Sequence, residues 1–396
     1  MIKKNITILY IISFLQGMVF YYPISTIFRQ SRGLSIEQVL LLQSILSLII
    51  VVSEVPLGYI ADRVGYKKML VFSNVTLLIS KIVFYKSTSF SLFLVESILL
   101  GVSISSSSGC DIALLYESSN KQQGEKVFGA YNSIGNLGLL ISSVVSTFLI
   151  SVSLDLTVIV TIVPHALCAF MSLFLADVKR KSKCTQSKSN LNKIGIKNHI
   201  GDIKPIVIFV FFTACILQVV HSTTVFLNQI QYENIGIDFK LYGVIAAFIQ
   251  LLCIFESQTY KLTNKFGKFK VFIFLLIMLN LGFVILIYNN SAVLSIISIT
   301  LISVSFSMCN PIIYDIQNKF IESNRATILS IYSMISNIMT FIGNLIIGRC
   351  ADISLIFSFK ICFLIVIFSS IGCCIFLLKN EKYLEEIRDI NKFREA

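Results

Sequence analysis

Long apolar runs recur along the whole chain, separated by short polar segments, and their length decides the fold class. A helix that crosses about 30 Å of hydrocarbon needs roughly 20 apolar residues, and backbone left unpaired in lipid is too costly for any open structure. Twelve runs meet that length, at approximately 6 to 28, 37 to 61, 68 to 86, 90 to 117, 127 to 150, 155 to 177, 204 to 229, 238 to 260, 269 to 288, 291 to 318, 326 to 348 and 355 to 378. Strands of a membrane barrel would instead alternate in segments of about ten residues. With 14% charged residues and five prolines in 396 residues, and a mean hydropathy of +0.82, the composition excludes an ordinary soluble domain. The chain reads as an all-α polytopic membrane protein. Its opening "MIKKN" and apolar run are not expected to be a signal peptide, because the run is span-length and no small-x-small cleavage site follows.

An even number of spans leaves both termini on one side, and the basic residues indicate which. Of the 33 Lys and Arg, 26 fall on the side of the N-terminus and six opposite (Arg29, Arg32, Lys86, Lys240, Arg349 and Lys360), with Lys81 alone deep in a span. Both termini are therefore expected in the cytoplasm, the spans in the plasma membrane. The net charge of +12 is then a topology signal and an attraction to anionic lipid, and no nucleic-acid partner is expected. Nine of the ten cysteines sit in or beside apolar runs and Cys184 in a polar segment. That spacing suggests neither a disulfide framework nor a metal site, and no cofactor is expected.

Sliding the sequence against itself by 202 residues places Gln16 on Gln218, Glu54 on Glu256, Asp62 on Asn264, Gly65 on Gly267 and Lys68 on Lys270. A shift of 201 places "YNSIGN" on "YSMISN". Two six-helix bundles follow, and an even number of spans per repeat gives them the same orientation. The expected organisation is an N-terminal bundle over 1–177, a basic cytoplasmic linker over 178–203, a C-terminal bundle over 204–380 and a cytoplasmic tail over 381–396.

Between spans 2 and 3, "GYIADRVGYKK" gathers one acid and three bases. It resembles the signature loop of the major facilitator superfamily, whose pattern runs Gly-x-x-x-Asp-Arg-x-Gly-Arg-Lys-Lys. Gly58, Asp62, Arg63, Gly65, Lys67 and Lys68 match, Tyr66 stands in place of a basic residue, and "NKFGKFK" is a degraded second copy. The resemblance implies twelve transmembrane helices in a 6+6 pseudo-twofold fold with a substrate site between the bundles, and a monomer is expected. It also implies a gate. Asp62 would accept hydrogen bonds from Arg63 and from the first turn of span 11, after Asn324, holding the cytoplasmic face closed. Gly58 would permit close helix approach and Gly65 a tight turn.

"SSSSGCDIALLYES", Ser105 to Ser118, and "NRATILS", Asn324 to Ser330, resemble a bacterial drug or small-molecule efflux subgroup. The Ser and Gly run also suits close helix packing. Two features depart from many members. No Arg stands four residues before Gly101, and span 5 has Gly129, Gly135 and Gly138 without a Gly-Pro pair.

Acids within spans usually face a cavity or a partner. Asp111, Glu54, Glu256 and Glu96 are the proton-coupling candidates, each equally readable as a structural bridge to Lys81, a Tyr or an Asn. Glu54 precedes Asp62 by eight residues, about 12 Å deeper in a helix. Substrate-cavity candidates are Gln16, Tyr21, Tyr22, Gln218, His221, Asn228, Gln250, Asn310 and Asn337, polar or aromatic groups on spans that line the cavity in the resembled fold. The expected function is a secondary transporter that exports a small, partly apolar compound in exchange for protons. A proton symporter that imports a nutrient is the alternative. A membrane enzyme or sensor finds no support, for no Walker loop, His-Glu-x-x-His or CxxC is present.

Overall fold

The structure, a computed structural model, describes residues 2–118, 124–176, 196–319 and 325–380. Among them twelve helices are long and apolar enough to cross a membrane. They are span 1 (Lys4–Ser31), span 2 (Ile36–Val64), span 3 (Tyr66–Lys86), span 4 (Phe90–Glu117), span 5 (Gly129–Val152), span 6 (Leu154–Leu173), span 7 (Ile206–Asn234), span 8 (Phe239–Phe266), span 9 (Lys268–Tyr288), span 10 (Ala292–Gln317), span 11 (Ile331–Ile353) and span 12 (Leu355–Lys379). The expected tail at 381–396 and most of the expected linker lie outside the described residues. From Ile196 the chain is already helical and runs into span 7.

Local chemistry sets several boundaries. Ser35 caps span 2 through a reciprocal pair, Gln38 N donating to Ser35 Oγ at 3.2 Å and Ser35 N donating to Gln38 Oε1 at 3.1 Å. Gly65 (φ +98°) and Gly267 (φ +87°) turn the chain between spans 2 and 3 and between spans 8 and 9. Only glycine takes that backbone readily, so the expected turn at Gly65 and its repeat are both present.

Four spans are interrupted. Span 1 consists of a helix to Gly17, a short turn of 3₁₀ helix at Tyr22–Ile24 and a resumed helix at Ser25–Ser31. Pro23 lacks the N–H that would continue the first helix. Span 4 breaks at Gly109 (φ +76°), between Phe90–Ser107 and Cys110–Glu117. Span 7 carries a π-helical turn at Ser222–Leu227, and span 8 a 3₁₀ stretch at Ile254–Gln258.

The packing repeats. In the first half, span 1 packs on spans 5 and 6, span 2 on span 4, and span 3 on spans 4 and 6; in the second, span 7 packs on spans 11 and 12, span 8 on span 10, and span 9 on spans 10 and 12. Each pair recurs six spans later. Span 2 against span 11 and span 5 against span 8 join the halves, and these two contacts exchange under the same twofold relation. Small residues set the closest crossings. A Cβ on Gly17 or Gly138 would collide with the carbonyl of Gly135 or Phe14 between spans 1 and 5, and one on Gly243 with the Ser143 carbonyl between spans 8 and 5.

The halves do not touch evenly along their length. Among the described residues, hydrogen bonds join them from mid-depth to the face opposite the termini: Thr26 with Gln229, Ser44 with Phe341, and Gln250 with Ser143. An exposed pair, Glu37 with Arg349 at 3.4 Å, closes the same edge. Towards the terminal face Val55, Tyr59 and Ile60 of span 2 and Ile254 and Phe255 of span 8 are exposed. Among the described residues nothing lies within 4 Å of a Cβ built on Gly58 in this conformation.

Candidate functional site

A cavity of about 190 Å³ lies where the two halves converge. Tyr22 and Pro23 of the broken segment of span 1 form one wall. Thr224, Val225, Asn228, Gln229 and Tyr232 of span 7, Tyr242, Ile245, Ala246, Ile249, Gln250 and Cys253 of span 8 and Ser303 of span 10 form the rest. The lining is apolar surface studded with amides and hydroxyls, and it contains no charged side chain. Such a surface offers hydrogen bonds and apolar contact.

Three sequence candidates meet there: Tyr22, Asn228 and Gln250. Gln250 reaches across the halves, its Nε2 donating to Ser143 Oγ at 3.2 Å. His221 lies about one turn before Thr224 and Val225, its ring edge-on to Phe226 with centroids 5.6 Å apart. Three others are engaged inside their own half. Gln16 Nε2 donates to Asn74 Oδ1 at 2.9 Å. Gln218 Nε2 donates to Asn344 Oδ1 at 2.7 Å, which also accepts from Ser222 Oγ at 2.8 Å. Tyr21 Oη accepts from Lys81 Nζ at 2.8 Å. Asn310 and Asn337 are half-buried on spans 10 and 11 and do not line the cavity.

The acids are dispersed. Asp111 lies in the first turn after the Gly109 break, half-buried, its Oδ1 accepting from Ile112 N at 2.7 Å and its Oδ2 from Tyr131 Oη at 3.1 Å. Glu256 Oε2 accepts from Ser307 Oγ at 2.8 Å. Glu54 is half-buried on span 2. At the loop, Asp62, Arg63 and Lys68 are exposed and Lys67 half-buried. The Arg63 guanidinium stacks over the Tyr59 ring at 4.2 Å and bonds its hydroxyl. Asn324, beside which the gate contact is expected, lies outside the described residues.

Glu96 belongs to a cluster that sequence reasoning missed. Arg29 Nη2 lies 3.7 Å from Glu96 Oε2 with both side chains buried, and its guanidinium sits 4.9 Å from the Phe84 ring centroid and 5.9 Å from that of Phe93. Tyr21 and Phe28 stack on Phe84 at 4.5 and 5.0 Å. Lys81 is 5% exposed, and its ammonium donates to the hydroxyl of that same Tyr21. Arg29 reads as a loop charge because hydropathy sees its neighbours in sequence and not Glu96, on another helix. Removing one member of a buried pair costs about 3–5 kcal/mol, so the cluster fixes the end of span 1 firmly to the first half. His165, also missed, is 1% exposed and bonds the Thr161 carbonyl at 2.8 Å within its own helix.

Residues 6–344 match the profile described as Major Facilitator Superfamily. The chain belongs to the major facilitator superfamily. It is accordingly a secondary transporter of small molecules and not an enzyme. Solved structures of the family superpose over nearly the whole chain. The nucleoside transporter NupG matches with a TM-score of 0.74 at 15% identity, covering 94% of this chain and 98% of that one. A D-xylose-proton symporter matches with 0.74 at 15%, covering 93% and 97%. A bacterial homologue of the human lysosomal transporter Spinster, in an inward-facing and unoccupied conformation, matches with 0.74 at 14%, covering 97% of each chain. At these identities the likeness shows the fold. A search of curated proteins finds no match.

Proposed function

We propose that this facilitator moves a small, uncharged, partly apolar solute bearing hydroxyl or amide groups by alternating access. The observation that carries the reading is the cavity at the junction of the halves, with Tyr22, Asn228 and Gln250 facing an uncharged, largely apolar lining. With both termini cytoplasmic, as the basic residues indicate, the conformation is inward-facing. The location is the plasma membrane.

Export in exchange for protons is the direction favoured by the resemblance of span 4 to efflux members, with Asp111 the leading proton carrier, joined by Glu54, Glu256 and Glu96. Proton-driven uptake is the second reading, supported by the amides of the cavity, Asn228, Gln229 and Gln250. The Asp62 latch belongs to the outward-facing state, in which span 2 and span 11 close over Gly58. Purified protein in liposomes, given an imposed pH gradient of either sign and a panel of sugars, antibiotics and dyes, tests all of this. Gradient-dependent movement of a neutral hydroxylated solute supports the proposal. Transport confined to organic cations, or indifferent to the gradient, contradicts it.

A further inference from the structure

Span 1 loses its helix between Gly17 and Ser25, and the first turn of the resumed segment presents backbone N–H groups with no partner inside that helix. The Gln229 side chain, from the other half of the molecule, supplies one. Its Oε1 accepts from Thr26 N at 2.8 Å and from Ile27 N at 3.4 Å. That pair of donors fixes which way the amide points, because only its oxygen accepts. The Nε2 then donates to the Val225 carbonyl at 2.7 Å within span 7 and reaches Ser25 Oγ at 3.3 Å and the Tyr22 carbonyl at 3.5 Å across the junction. Gln229 is 2% exposed. Its own carbonyl accepts from Tyr242 Oη at 3.2 Å, so the residue is held from behind.

The other end of the same segment is anchored differently. Arg29 is bound to Glu96 and packed on Phe84 and Phe93, all within the first half. When the halves part on this face, the Arg29 contacts stay intact and the Gln229 contacts are the ones that break. The segment at Ser25–Ser31 therefore travels with the first half, and Thr26 and Ile27 lose their acceptor.

We infer that Gln229 pins shut the gate on the face opposite the termini, by satisfying the broken backbone of span 1 from across the junction. Because it also lines the cavity beside Tyr22 and Asn228, this side chain joins the solute site to the gate. The inference rests on the alternating-access reading above.

Thr26 supplies the probe. Its side chain is fully buried, and Thr26→Cys leaves the backbone N–H in place. In vesicles oriented with the face opposite the termini outwards, a membrane-impermeant maleimide should label the Thr26→Cys thiol slowly, measured against the same protein without that substitution. Adding Gln229→Met, which keeps the volume but removes the acceptor, should raise the labelling rate about tenfold, as expected for one lost pair of backbone bonds. Adding Gln229→Asn instead shortens the side chain but keeps an amide, and should raise the labelling rate less than Gln229→Met does. A purely packing role would give the reverse order. Measurable labelling at the same rate in all three proteins would overturn the role of Gln229 while leaving alternating access standing. No labelling in any of them, with transport intact, would overturn both.

Discussion

Arg29 and Glu96 face each other at 3.7 Å, both buried, and Lys81 joins them in the same half through Tyr21. Arg29 pairs with the carboxylate, while the Lys81 ammonium donates to the Tyr21 hydroxyl beside it. Glu96→Leu alone should lower stability by about 3–5 kcal/mol, because it leaves the buried Arg29 guanidinium without its counter-charge. Arg29→Met combined with Glu96→Leu should recover much of that loss. Thermal unfolding in detergent would read the difference, and equal losses in the single and double variants would argue against a shared pair.

Glycines at helix crossings should respond differently according to where they lie. Gly138→Leu drives a side chain into the Phe14 carbonyl and should destabilise the first half by about 1–3 kcal/mol. Gly243→Leu meets Ser143 of the opposite half, so it should instead push the halves apart on the face opposite the termini and slow transport while the protein still assembles. Gly58→Leu meets open space in this conformation, and should leave thermal stability within about 0.5 kcal/mol while blocking the return to the closed terminal face. Expression level, unfolding temperature and transport rate separate the three.

Asn228→Leu and Gln250→Leu each remove one polar group from the cavity lining. A hydrogen bond to an uncharged solute is worth about 0.5–1.5 kcal/mol net, so each should raise KM about threefold to tenfold with little effect on folding. Gln16→Leu, whose amide is turned to Asn74, should leave KM unchanged. KM values measured in liposomes for the three variants test the assignment, and a larger effect at Gln16 than at Asn228 would refute it.

Asp111 is held by Tyr131 and by the first turn after the break in span 4. If it carries the coupled proton, Asp111→Asn should abolish transport driven by a pH gradient yet preserve solute exchange at equal pH, and Tyr131→Phe should weaken gradient-driven transport without abolishing it. Retention of gradient-driven transport in Asp111→Asn would move the role to Glu54, Glu256 or Glu96.

The spans are legible because hydrophobic length is a property of the chain alone, and the repeat because Gly65 and Gly267 must both turn a backbone that other residues resist. The cavity is legible only in part. Tyr22, Asn228 and Gln250 stand out as polar groups in apolar runs. Gln229 and Tyr232 sit where span 7 becomes polar, so the apolar run ends at 229, whereas the helix continues to Asn234. Arg29 escapes notice for the same reason, as a charge at the end of a run. The interruption of span 1 has a visible signal in Gly17 and Pro23. What it does, offering backbone groups to Gln229 some two hundred residues later, depends on how the halves dock.

Alternating access requires span 2 and span 11 to separate on the face opposite the termini in every cycle. A Cβ built on Gly348 lies 3.2 Å from Leu40 Cβ, close to the spacing of about 3.5–4.5 Å that a disulfide spans. Leu40→Cys with Gly348→Cys should therefore crosslink under oxidation, stop transport in liposomes, and regain it on reduction. Full transport with the crosslink formed would contradict the mechanism.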